Sequence, residues 1–181
     1  EAVNKNRFTA LLRAASVGHV CVAAMLIGKG ASLDATNENG NTALALAAKN
    51  GHYSVAALVI AKGASLDAVT KNNDTALTLA AWKGHETIAA LLIEKSASLD
   101  LVNKHADSAL LLATRHDHVA VAALLVVKGA SVNAANSQGN TALITAASKG
   151  REALAALMIE TGASIDAASN SGNTALTWAA E

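Results

Sequence analysis

Two short stretches carry side chains able to do chemistry. Ala113–His118 reads ATRHDH and holds two of the six histidines, an arginine and an aspartate. Imidazoles ligate metals and move protons near neutral pH, and an adjacent carboxylate could complete either kind of site. The spacing argues against both. His116 and His118 are two residues apart, whereas side chains that share a helical face are three or four apart. No cysteine or further histidine follows closely, although His105 and Asp107 could approach in space. The second stretch sets His19 two residues before Cys21. A thiol nucleophile also needs an orienting group and an oxyanion site. Neither is visible, and Cys21 reads as a small apolar helix residue. There is no glycine-rich phosphate loop and no paired carboxylate motif. The expectation is a chain that is not an enzyme, with no metal, no cofactor and no catalytic residue.

Composition narrows the class further. Of 181 residues, 52% are hydrophobic but only 2% aromatic, and proline is absent. Alanine and leucine favour short, closely packed helices. Lys plus Arg and Asp plus Glu are 14 each, so no bulk field points to nucleic acid or to a membrane. No apolar run approaches the length of about 18 residues needed to span a bilayer. One cysteine rules out a disulfide framework and leans toward an intracellular, cytoplasmic setting.

The elements that must position these residues repeat. The motif TAL or SAL ends at Leu11, Leu44, Leu77, Leu110, Leu143 and Leu176, each 33 residues after the last. This divides the chain into units 1–33, 34–66, 67–99, 100–132 and 133–165, with a partial unit 166–181. In the second unit DATNENG is a tight turn rich in Asn, Asp and Gly. Thr42 sits where an N-cap hydroxyl would accept from the first helical turn. A helix is expected over Ala43–Asn50, ended by Gly51. A second follows in HYSVAALVIAK, with Val55, Leu58 and Val59 at helical spacing. Helices this short are marginal alone and need stacked neighbours.

On the 33-residue period, the T-x-L motif, LAA, the GH between helices and KGAS-[LVI]-[DN]-A after the second, the chain resembles the ankyrin repeat family along its whole length. Alanine stands where that family usually has proline, as at Ala43 and Ala76, and its usual histidine is replaced as well. The resemblance implies an all-α solenoid of helix-turn-helix units joined by hairpin-like loops, a single array over 1–181. It also implies structural roles for His19, His52, His85 and His118, which share one register; the fifth unit has Arg151 there. The opening Glu1–Arg7 aligns with a hairpin segment and the chain stops within a first helix. A piece of a longer array, with neighbouring repeats at both ends, is therefore expected.

In that family the hairpin tips and first-helix ends line one concave face. Carried over, the tips are Lys5, Glu38, Lys71, Asn72, Lys104, His105, Ser137 and Gln138, followed by Asp74 and Asp107. The helix ends contribute Lys49, Trp82, Lys83, Arg115, His116 and Lys149. Trp82 stands at a variable position that is Ser, Lys or Arg elsewhere, and aromatics are common binding anchors. Basic residues outnumber acidic ones in this set, which points to a protein partner of acidic character. The candidates for partner binding are Lys71, Asn72, Asp74, Trp82, Lys83, Lys104, His105, Asp107, Arg115, His116 and Lys149. The alternative is a superhelical scaffold segment of a large multidomain or toxin-like protein. The outward positions Val119, Ala120, Ala123 and Val127, all apolar, favour that alternative.

Three residues break local rules in or beside the fourth unit. Asp117 takes the place of a helix-ending glycine, Ala106 that of a turn glycine, and Ser96 that of the glycine before the unit. Left-handed backbone is expected there, at a cost relative to glycine. On the sequence alone, Asp117→Gly should stabilise the array.

Overall fold

The computed structural model describes residues 3–179. Among them eleven helices follow in order: α1 Ala10–Val17, α2 Val20–Gly28, α3 Ala43–Asn50, α4 Tyr53–Ala61, α5 Ala76–Lys83 and α6 Glu86–Glu94, then α7 Ala109–Arg115, α8 Val119–Val127, α9 Ala142–Ser148, α10 Glu152–Glu160 and α11 Ala175–Ala179. The odd-numbered helices stack in one layer and the even-numbered in a second; α1 to α10 pack on their pair mates, and neighbouring helices of each layer pack on one another. The fold is all-helical, as the period requires.

Local chemistry sets the helix ends. Thr42 Oγ1 accepts from the Ala45 amide at 3.2 Å, and Thr9, Thr75, Ser108 and Thr141 do the same in their own units. The repeated leucines Leu11, Leu44, Leu77, Leu110 and Leu143 are at most 2% exposed and form one continuous core with the alanines between them. Leu176, in the same register, is 77% exposed, because no described helix covers α11. Trp178 stands in the register of Leu46, Leu79 and Leu112, where packing is expected, and is exposed for the same reason.

Three ladders tie unit to unit. Hairpin tips bond backbone to backbone: Lys71 N donates to Asn39 O, Lys104 N to Asn72 O and Ser137 N to His105 O, at 2.9–3.0 Å. On the other edge the Asp34, Asp67 and Asp100 carboxylates accept from the amides of Ser65, Ser98 and Ser131, and Asn133 from Ser164. Between the helices, the Nε2 atoms of His52, His85 and His118 lie 3.0–3.2 Å from the carbonyls of Ser16, Lys49 and Trp82 in the preceding unit. His52, His85 and His118 are therefore inter-unit links.

That third ladder explains the glycines beneath it. A Cβ at Gly51 would stand 2.7 Å from the His85 ring, and one at Gly84 would collide with His118. At the next junction both partners change. Asp117 replaces the glycine at φ 64°, and Arg151 replaces the histidine, with Nε 3.0 Å from Asp117 Oδ1. Ser96 and Ala106 are also left-handed, as expected. The irregularity is wider than the fourth unit, however. Arg7 and Asn73 adopt positive φ at the hairpin position that Gly40 and Gly139 hold elsewhere.

Candidate functional site

The curved face formed by hairpin tips and first-helix ends opens into a groove of about 520 Å³ across the second to fourth units. Its floor is Leu79 and Leu112. One wall is the hairpins, with Asn39, Asn41, Thr70, Lys71, Asn72, Asp74, Asn103, His105 and Asp107. The other is the helix ends, with Lys49, Trp82, Arg115 and His116. The repeat places them so because each α-helix of the first layer ends at the same height, one unit along from the last.

Trp82, last but one in α5, sits at the centre of the helix-end wall. Lys83 Nζ lies 3.8 Å from its ring centroid, and Lys49 Nζ, from α3, lies 5.9 Å away. Cation–π contacts of this kind contribute about 0.5–1 kcal/mol at exposed sites. His116, from the next unit, meets the indole edge-on at 6.2 Å and stacks on His118 at 6.4 Å. Partial burial, and then the charges of Arg115, His118, Lys149 and Lys83, hold the His116 pKa below its usual 6.5. The neutral ring is thereby favoured, at the edge of a cationic cluster.

Asp107 and Arg115 are not two independent charges. Asp107 is 2% exposed. Its two oxygens accept from Arg115 Nη1 and Nη2 at 2.7 and 2.6 Å, a bidentate pair, and Oδ1 also accepts from Asn136 Nδ2 at 3.0 Å. The pair is an internal brace that links α7 to its own hairpin and to the next one. Lys149 is likewise drawn to Asp117, at 3.6 Å.

Of the sequence candidates, Lys71, Asn72, Asp74, Trp82, His105, Asp107, Arg115 and His116 converge on this one groove. Lys83 borders it through its contact with Trp82. Lys104 and Lys149 stand outside the lining. Sequence reasoning missed Asn39 and Asn41, although they hold the registers of Asn72 and Asp74 one unit earlier. It also missed Thr70 and Asn103. These shape the hairpins: Thr70 Oγ1 accepts from the Asp74 amide, and Asn103 Oδ1 from the Asp107 amide.

On the opposite face Val119, Ala120 and Val127 are exposed and Ala123 is half-buried. Tyr53 and Met25 are also exposed on this layer, but the third unit between them and Val119 exposes Glu86, Thr87 and Glu94, so the apolar stripe of the fourth unit is local. Among the described residues no group of three His, Cys, Asp or Glu is arranged to hold a metal ion. No described helix is long and apolar enough to cross a membrane.

The family described as ankyrin repeats matches in three copies, at residues 1–70, 58–136 and 110–181. Together the copies reach from the first residue to the last. No match is found among curated proteins. Ankyrin repeats are generally protein–protein interaction modules and are typically non-enzymatic.

Proposed function

We propose that this chain, which belongs to the ankyrin repeat family, works by binding a protein partner in the concave groove of its second to fourth units, and that the bound surface of the partner is acidic. One observation carries the reading: a half-buried tryptophan sits among cations in the one groove where most of the sequence candidates meet. Tryptophan combines a large apolar face with an N–H donor and loses little rotamer freedom on binding, which suits an anchor. The groove walls around it are polar and rigidly held by the hairpin ladder, so little ordering cost falls on this side of an interface. The five full units and partial sixth read from the leucine period belong to the same proposal, as the array that supports this surface.

Selection of binding peptides from a random library against the folded chain tests the reading. Most independent binders should lose at least tenfold in affinity for Trp82→Ala while the circular dichroism stays the same. Binders that ignore Trp82→Ala but fail on Val127→Glu would move the working surface to the other face.

A further inference from the structure

We infer that the groove anchors an extended acidic segment of its partner through one carboxylate side chain, seated beside Trp82 between Lys49 and Lys83; this rests on the reading of the groove as the binding surface. By composition the whole concave face is basic. Internal pairing occupies two of these cations, since Arg115 closes on Asp107 and Lys149 turns to Asp117. Lys49 and Lys83 make no ion pair among the described residues. They come from consecutive helix ends yet converge on the same indole. Two unpaired cations of the groove region therefore gather at one point, while Lys71 stands apart on the hairpin wall. A carboxylate arriving there meets two ammonium donors, and its methylenes can lie on the indole face. Across the groove Asp74, which makes no ion pair among the described residues, stands on the same wall as Lys71 and offsets its charge.

The hairpin wall argues for an extended ligand backbone. Asn39 and Asn72 share one register. Their backbone carbonyls accept from the next unit, and their side-chain amides make no hydrogen bond among the described residues. A primary amide offers both donor and acceptor, as a peptide unit does. Packed helices lie about 8–10 Å apart, and an extended chain advances about 3.3 Å per residue. Roughly three residues therefore carry such a segment from Asn39 to Asn72. A helical ligand bonds its own backbone internally and leaves these amides nothing to engage.

The probe is a twelve-residue peptide of Ser and Asn with Glu at every third position, added to the full Trp178→Phe chain so that Trp82 is the sole indole. The expected result is a saturable change in Trp82 emission that weakens with salt. Binding should be at least tenfold weaker for the same peptide with Gln for Glu, and for the Lys49→Glu, Lys83→Glu chain with unchanged circular dichroism. Lys62→Glu, on the far edge, should bind as well as the parent. Equal binding of the Gln peptide at Trp82 overturns the anionic anchor and leaves the groove reading standing. A phosphoserine peptide or an oligouridine that shifts Trp82 while the Glu peptide does not also overturns it. If no peptide disturbs Trp82 while the selected binders remain bound, both readings fall.

Discussion

Asp117 and Arg151 form an exchanged pair: they occupy the positions that Gly84 and His118 hold at the junction before, and an ion pair at 3.0 Å stands where an imidazole lies over a bare Cα. Either change alone should weaken the joint. A side chain at the glycine strikes the imidazole, and an arginine over glycine has no carboxylate to meet. Together they rebuild the joint with different chemistry.

The pair changes the expectation for Asp117→Gly. Relief of the left-handed backbone is opposed by loss of the links to Arg151 and Lys149, so the melting temperature should move little. Asp117→Gly with Arg151→His restores the geometry of Gly84 and His118 and should melt above Asp117→Gly alone. Gly84→Asp should lower the melting temperature sharply, and His118→Arg should recover part of the loss. Additive effects of the two changes in a thermal double-mutant cycle would contradict the coupling.

Acid should weaken the same joint. The hydrogen bond from Arg151, with the charges of Arg151 and Lys149, holds the Asp117 pKa below its usual 3.8. A depressed carboxylate pKa contributes stability in full above 3.8 and loses it as pH falls through the folded value. Melting curves of the parent should therefore converge on those of Asp117→Asn below that window, and a gap that persists would contradict it.

Arg115→Ala should destabilise, although the guanidinium is partly exposed. The change leaves the buried Asp107 carboxylate with Asn136 as its one side-chain partner. A cost of about 1–3 kcal/mol is expected. Asp107→Asn with Arg115→Gln should recover much of it. Urea denaturation of the parent and the two variants checks the order, and an Arg115→Ala chain as stable as the parent would show that the brace contributes nothing.

His116 should make ligand binding pH-dependent. The groups facing it are Trp82 and Lys83 from α5, Arg115 and His118 beside it, and Lys149 beyond α9. Its folded pKa lies below 6.5, so the free chain loses stability as pH falls from 6.5 through that value. An acidic ligand favours the charged ring and should bind several-fold more tightly at pH 5.5 than at 7.5, at most about tenfold per pH unit for one proton. Fluorescence titrations of the parent and His116→Asn check this; an equal pH response in both would remove His116 from the effect.

The core should behave as one column. Leu77 is 1% exposed at the middle of the stack, and Leu77→Ala should cost about 2–5 kcal/mol. Because each unit is held only by its neighbours, the loss should appear as a broadened, multi-step urea transition. A sharp single transition at the parent midpoint would contradict the nearest-neighbour picture.

The repeat, the helix pairs and their caps could be read from the sequence, because period, cap chemistry and glycine placement are local signals. Thr42, the helix Ala43–Asn50 and Gly51 stand where expected. Most groove residues were legible for the same reason, since register fixes height and face. Two of the misses are pairwise. Asp107 looked like a surface charge because nothing local shows that Arg115, eight residues on, folds back over it. Asp117 looked like simple strain because its compensation lies 34 residues away in Arg151. Arg7 and Asn73 keep glycine-like backbone at a hairpin position that tolerates other side chains, which the glycine pattern alone does not reveal.

The most direct measurement follows the two indole N–H signals of the ¹⁵N-labelled chain while a selected binding peptide is added. Binding in the groove should move the Trp82 signal saturably and leave Trp178 in place. Saturation of the peptide with Trp82 unmoved would contradict the account.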